Sequence, residues 1–338
     1  MKDVAAAAGV SVQTVSNTIN GRTNRMGRDT EARVRAAIDS LGFRPNSSAR
    51  GLRSRSTRTL AFFIGDAAKD YLADPLTDLF LAGMSAELRQ EGNSLLIDSY
   101  VPGQTLDSVA RHLDEGRVDG AVLLLSGPEQ ERRRAFNQLA RRGRPLVLLQ
   151  EHSPLGRGVR SVSAKDYEGS YRLCQHLIDL GHKRIAYLNT VEHWSALEQR
   201  TRGYRDALDA AGLGGAADVR KATGFSPRAG LEAGLDLLGG SSRPTAIMCG
   251  NDYLAMGVLG SAARLGIRVP DDVAVTGFND FAFAEVAVPS ITTVRLPGYV
   301  MGVRAARILL DLPEAGASGD LEDVQLMLRD STGAAPGH

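Results

Sequence analysis

The chain is poor in cysteine, in aromatic rings and in long apolar runs. Its two cysteines, Cys174 and Cys249, lie far apart with no second pair, so neither a disulfide framework nor a CxxC metal site is indicated. Both sit in apolar surroundings and read as small core residues. The six histidines are not spaced like metal ligands on one helix face. GxxxxGKS/T, G-x-S-x-G and HExxH are all missing, which leaves phosphate-loop, nucleophile-elbow and zinc-protease chemistry without support. One formal G-x-G-x-x-A occurs at Gly212, Gly214 and Ala217, but it follows a helical stretch. A turn in that place cannot aim helix N–H groups at a pyrophosphate, and it reads as a loop. No catalytic residue, metal or cofactor is expected. Nothing at the start resembles a signal peptide and no apolar run could span a bilayer, so a cytoplasmic chain without a membrane partner is expected.

A length of 338 residues with 43% hydrophobic content suggests two or three globular domains. The formal charge of +1 hides an asymmetry. Residues 1–58 carry 11 Lys+Arg against 4 Asp+Glu, a net +7, whereas the remainder carries 29 against 35, a net −6. Phosphate neutralisation needs local positive charge, so nucleic-acid affinity belongs in the head.

The head opens with MKDVAAAAGVSVQTVSNTIN. Residues 2–8 have helix composition, Gly9 and Val10 supply a stop and a turn, and Ser11 can cap a second helix. Two short helices across a glycine turn form a helix-turn-helix, although a generic helical hairpin has the same outline. Val15 and Ile19 stand four apart, while Val12, Gln13, Ser16, Asn17 and Asn20 occupy other faces. Such a short, uncharged, hydrogen-bonding surface suits base-pair edges in a major groove. A third helix follows, with a stripe of Val34, Ala37, Ile38 and Leu41 ended by Gly42. Residues 47–58, SSARGLRSRSTR, carry four arginines among small residues and have linker composition.

The order D-V-A, A-G-V-S, T-V-S, N-G from Asp3 to Gly21 resembles the DNA-binding head of the lactose-repressor (LacI/GalR) family of bacterial regulators. That resemblance implies base or backbone contacts by Ser11, Val12, Gln13, Thr14, Ser16, Asn17 and Asn20. It further implies that the segment after Pro45-Asn46 is a hinge helix, with Ala49, Leu52 and Arg53 on DNA and Leu52 wedged into the minor groove. Relatives usually carry a few residues and a cap ahead of D-V-A, so a natural start upstream of Met1 is expected.

Beyond residue 59, apolar runs alternate with helical patterns. Strands are expected at 60–64, 94–99, 120–125, 146–150, 184–188, 246–249 and 273–276, and helices near 76–88, 167–180, 197–211, 227–238 and 253–265. Two successive βα sets mean two doubly wound parallel sheets. The motifs HLIDLGHKRIA (176–186), GYRDAL (203–208), NDxxAMG (251–257), GFND (277–280) and RDST (329–332) extend the resemblance over nearly the whole body. The expected fold is therefore a small all-α helix-turn-helix head plus an α/β periplasmic-binding-protein-like body of two doubly wound parallel-sheet lobes. Expected bounds are 1–46 for the head, 47–58 for the hinge or linker, 59–332 for the effector-binding body and 333–338 for a loose tail. One lobe takes about 59–158 and 291–322, the other about 159–290 and 323–332.

Ligand should sit at the C-terminal strand ends. By resemblance the effector contacts fall on Asp74 and Leu76 of the D-P-L turn, Gln150, Arg200, Phe225, Asn251 and Asn279. A guanidinium, amides and a ring together suit a polyol. Taken singly, Arg200 could be a solvated helix residue, Phe225 core and Asn251 a helix cap. Trp194, the only tryptophan, lies in the loop after the strand ending at Leu188, where it either lines the cleft or caps packing. Three positions depart from the family pattern: Asn17 stands for Arg, Asn279 for Asp and Leu296 for Gln. The last two suggest a less anionic, more apolar pocket.

The expected function is a homodimeric, sequence-specific DNA-binding transcriptional regulator, a repressor, acting on a pseudo-palindromic operator. A small-molecule effector, a sugar or another polar metabolite such as a nucleoside, would control it. A solute-binding protein or an enzyme on the same lobes is the alternative.

Overall fold

The computed structural model describes residues 1–19, 21–22, 26–43, 56–66, 74–153, 159–313 and 321–336. Asn20, Ala49, Leu52 and Arg53 lie outside the described residues, as does most of the expected hinge. The chain divides into two compact units, Met1–Thr57 and Arg58–His338.

In the first unit α1 (Lys2–Ala8) stops at Gly9, whose φ of 63° is left-handed and open to glycine without a Cβ penalty. Ser11 then begins α2 (Val12–Ile19): its hydroxyl accepts from the Thr14 N–H at 3.1 Å. Together with α3 (Arg28–Ser40) these helices bury Val4, Ala5, Ala8, Val15, Val34 and Ala37. Leu41, expected in the α3 stripe, is exposed. The helix ends one residue earlier, and Phe43 packs on the core instead after the Gly42 turn.

The second unit holds two parallel sheets. The first comprises β1 (Thr59–Gly65), β2 (Ser94–Tyr100), β3 (Gly120–Leu125), β4 (Leu146–Leu149), β5 (Arg160–Ala164) and β11 (Leu321–Glu322), in the order β11-β5-β4-β3-β1-β2. Between them run α4 (Pro75–Gln90), α5 (Asp107–Asp114) and α6 (Glu129–Ala140). Strand alternation sends Phe62 and Ile64 toward Phe80, Met84 and Leu88 of α4. It sends Ala61 and Phe63 toward Val109, Leu113, Phe136 and Leu139 on the other face. Such double coverage explains the unbroken apolar runs of β1 and β3.

The second sheet comprises β6 (Ile185–Thr190), β7 (Asp218–Ala222), β8 (Ala246–Cys249) and β9 (Ala274–Thr276), in the order β7-β6-β8-β9. It is covered by α7 (Asp166–Asp179), α8 (Ser195–Ala210), α9 (Pro227–Gly239) and α10 (Asp252–Leu265), with a short α11 (Ala282–Val286) after β9. An antiparallel pair, β10 (Thr293–Arg295) and β12 (Gln325–Met327), flanks this lobe. Helix α12 (Gly298–Leu309) returns to the first lobe and packs on α4 so closely that a Cβ at Gly83 would overlap the Tyr299 carbonyl oxygen. The loop at 212–217 does follow a helix, α8, and precedes β7.

The lobe boundaries fall elsewhere than expected. Strand β5 pairs with β4, so residues 160–164 belong to the first sheet rather than the second. Residues 291–295 run beside β9, with Gly277 N–H donating to Thr292 O at 2.9 Å and Asn279 N–H to Val294 O at 2.8 Å, and so belong to the second lobe rather than the first. Both segments are mixed polar stretches whose place is settled by pairing, not by hydropathy. Nor is the described part of the tail loose. Ala335 N–H donates to Leu180 O at 2.9 Å, and His182 Nε2 donates to Gly333 O at 3.1 Å. Among the described residues no helix is long and apolar enough to cross a membrane, and no acidic, histidine or cysteine group could hold a metal ion. Cys174 and Cys249 are free and buried.

Candidate functional site

The C-terminal ends of β1, β4, β6, β8 and β9 converge on a cavity of about 500 Å³ between the two lobes. The strand backbones end there, so loop side chains and helix N-termini take over the wall. Asp74, Leu76, Gln150, Trp194, Arg200, Phe225, Asn251 and Asn279 all line it.

Arg200 enters from α8 and is almost wholly buried. Its Nε donates to Asp166 Oδ1 at 2.8 Å and one terminal nitrogen donates to Gly250 O at 2.8 Å. Its guanidinium carbon lies 3.8 Å from the Phe278 ring centroid. The other terminal nitrogen donates to nothing among the described residues, so a fixed donor faces the cavity. Asn251 does cap a helix: its Oδ1 accepts from Leu254 N–H at 2.9 Å. That duty uses only the carbonyl end and leaves the amide donors unspent. Asn279 has a φ of 100° and Gln150 a φ of 55°, values that side-chain-bearing residues rarely adopt. Asn279 Oδ1 is buried without a hydrogen-bond partner among the described residues, a costly state that a ligand donor would relieve.

Asp74 sits at the N-cap of α4, where its Oδ1 accepts from Leu76 N–H at 2.9 Å. Burial pushes its carboxyl up to about 6, against the pull of that N–H and of Arg200. Trp194 is half-buried, and its Nε1 donates to Glu192 Oε2 at 3.2 Å. Ile64, Phe80 and Leu124 give the first-lobe wall an apolar character.

In the head, Ser11, Val12 and Gln13 are exposed, while Thr14, Ser16 and Asn17 are half-buried. Gln13 Nε2 donates to Asn17 Oδ1 at 3.1 Å, one helical turn on. The outward surface of α2 is therefore uncharged and rich in amides and hydroxyls.

Residues 1–46 match the family model described as bacterial regulatory proteins, lacI family, and residues 174–332 match that of a periplasmic binding protein-like domain. The HTH-type transcriptional regulator GalR of Escherichia coli (strain K12) is 32% identical over 321 residues, spanning 93% of this chain and 89% of that one. The chain belongs to the lacI family. The HTH-type transcriptional repressor PurR of Photobacterium profundum is 29% identical over 316 residues, covering 92% of this chain and 91% of that protein. Among solved structures, a complex of the transcriptional regulator CelR with cellobiose is 28% identical, with a TM-score of 0.69 and 98% of each chain covered. A lac repressor dimer bound to operator and an anti-inducer shares the fold with a TM-score of 0.82 at 24% identity, over 98% of each chain.

In this lacI-family chain, only one of the two departures that suggested a less anionic, more apolar pocket, Asn279, stands in the cavity wall. Leu296 is core and does not line the cavity. The wall also holds three carboxylates, Asp66, Asp74 and Glu192. Asp66 and Glu192 were not singled out from sequence, and neither were Thr77, Ser226 and Tyr253. Asp66 and Glu192 each follow a strand end by one or two residues, so the strand-end rule applied to polar residues would have found them. Tyr253 had no signal of its own.

Proposed function

We propose that this chain is a sequence-specific DNA-binding transcriptional regulator, a repressor, whose operator affinity is controlled by a small sugar bound between the two lobes. The observation that carries the reading is the cavity wall: an anchored guanidinium, three amides, carboxylates and the Trp194 and Phe225 rings come together from both lobes. Rings cover the C–H faces of a pyranose while forks and amides meet its hydroxyls. The cellobiose held by CelR and the regulator names of GalR and PurR support it. The protein acts by binding, not by turnover. It works as a homodimer, because one head reads only a half-site and a two-fold operator mirrors a two-fold protein. Ser11, Val12, Gln13, Thr14, Ser16, Asn17 and Asn20 read the major groove; Ala49, Leu52 and Arg53 form the hinge contact. Effector and operator then share one coupling free energy, so each alters the affinity of the other equally.

The test is a selection of bound sites from random DNA, with and without a panel of mono- and disaccharides and nucleosides. An inverted-repeat sequence whose capture changes with one sugar is expected. No enriched sequence overturns the DNA reading. An enriched sequence that responds only to a nucleoside, or to nothing in the panel, overturns the sugar.

A further inference from the structure

A second cavity, of about 360 Å³, lies on the second lobe at the ends of β6 and β7 beside α8. Trp194, Glu192 and Leu197 line both this cavity and the cleft. Its size suits a small metabolite.

The hydrogen-bonding state of its charged side chains is lopsided. Each carboxylate already accepts a bond: Glu198 from Arg132 at 3.3 Å, Asp206 from the Tyr167 hydroxyl at 3.0 Å, and Glu192 from Trp194 Nε1 at 3.2 Å. The cations do not give theirs. Arg202 lies over the Tyr167 ring at 4.7 Å, and neither it nor Arg205 nor Lys221 donates to any acceptor among the described residues. Carboxylates already engaged by protein donors, beside exposed cations that no protein acceptor among the described residues occupies, favour a ligand that brings acceptors and negative charge. Guanidinium forks match the oxygens of phosphate and carboxylate groups in particular.

We propose that this cavity is a second ligand site, specific for a small organic oxyanion, and that it communicates with the cleft through Trp194. Nothing in this requires the cleft ligand to be a sugar. The contact that engages Glu198 also joins the lobes, since Arg132 belongs to α6 of the first lobe, where Glu151 and the Gly127 carbonyl hold it. Beside it, Gly127 N–H donates to His193 O at 2.8 Å across the same boundary. An anion in this cavity would repel the Glu198 carboxylate and so bear on the seam where the lobes meet. Arg205 and Lys221 supply the charge that holds it.

The experiment titrates the full-length protein with inorganic phosphate, glycerol 3-phosphate and succinate at constant ionic strength, with chloride as control. Calorimetry reads binding, and Trp194 emission reads the shared wall. Saturable binding of at least one oxyanion is expected, with a change in emission. Arg205→Ala and Lys221→Ala, both at exposed positions, should each weaken it at least tenfold. Phe225→Ala, which alters only the cleft wall, should leave it unchanged. Preference for glycerol 3-phosphate over succinate, or the reverse, identifies the oxyanion. No binding beyond chloride overturns the proposal, and so does binding that both cation variants retain or that Phe225→Ala abolishes.

Discussion

Asp166 and Arg200 form a buried ion pair with 2.8 Å between Oδ1 and Nε, and the second carboxylate oxygen of Asp166 lies 3.1 Å from His152 Nε2. Neither side chain of the pair is more than 4% exposed. The pair holds the guanidinium by its inner edge and turns its outer edge to the cleft, so the donor that a ligand meets is already oriented. Removing one member of a buried pair strands the other charge at a cost of about 3–5 kcal/mol. Asp166→Asn should accordingly lower the unfolding free energy by about 3 kcal/mol in urea titration and weaken cleft binding. A loss below about 1 kcal/mol would mean that cleft water, not Asp166, solvates Arg200.

Asp74 gives the cleft its own pH dependence. With its carboxyl pushed up to about 6 by burial, it changes from donor-bearing acid to pure acceptor between about pH 5 and 7. A hydroxyl that donates to it binds better once the proton has gone. Sugar affinity measured by calorimetry should rise over that window by up to about tenfold, and Asp74→Asn should flatten the profile. An unchanged profile in the variant would remove Asp74 from ligand contact.

Asp252 governs stability instead. It is fully buried, accepting from Phe281 N–H at 2.7 Å and from the Thr293 hydroxyl at 2.6 Å, yet burial outweighs those bonds and pushes its carboxyl up to about 7. The folded pKa lies above the unfolded value of 3.8, so the folded chain keeps a proton that the unfolded chain loses. That contribution to stability is complete below about pH 4 and disappears as pH rises to about 7, at up to about 1.4 kcal/mol per pH unit. Asp74 adds the same sign up to about 6, and buried His182, held below its usual range, adds the opposite sign below pH 6.5. Both cancel in the difference between wild type and Asp252→Asn. Relative to wild type, the variant should therefore be more stable at pH 7.5 than at pH 4.5; equal differences at the two pH values would place the raised pKa elsewhere.

Gln13 and Asn17 bear on base reading. Asn meets adenine with its carbonyl on N6 and its amide on N7, but in the free head Gln13 already occupies Asn17 Oδ1. Reading adenine thus requires that bond to open. We expect one operator position to prefer adenine, Asn17→Arg to move it to guanine, and Gln13→Ala to leave the preference while altering affinity by a few-fold. Site selection with the three proteins checks all three, and a base preference unmoved by Asn17→Arg would exclude Asn17 from readout.

What the sequence determined by itself was local or periodic. Ser11 could be read as a cap and Gly9 as a stop because those roles depend on bonds within four residues. The strands β1, β3 and β8 announced themselves because burial on both faces demands uninterrupted apolar residues. Asp74, Gln150, Trp194, Arg200, Phe225, Asn251 and Asn279 could be nominated because motif position and the strand-end rule put each near the right end of a sheet. Only the tertiary structure decided the rest. Strand β5, R-S-V-S-A, and β7, D-V-R-K-A, carry no apolar run, and their sheets are chosen by the backbone partner each finds. Residues 291–295 go to the second lobe for the same reason. Arg200 becomes a positioned donor through Asp166, 34 residues away in sequence, and Leu296 leaves the cleft for the core through packing that no neighbouring residue specifies. Pairing and burial are long-range properties of the folded chain, so a linear pattern names the residues that can make a site, and the fold chooses which of them meet.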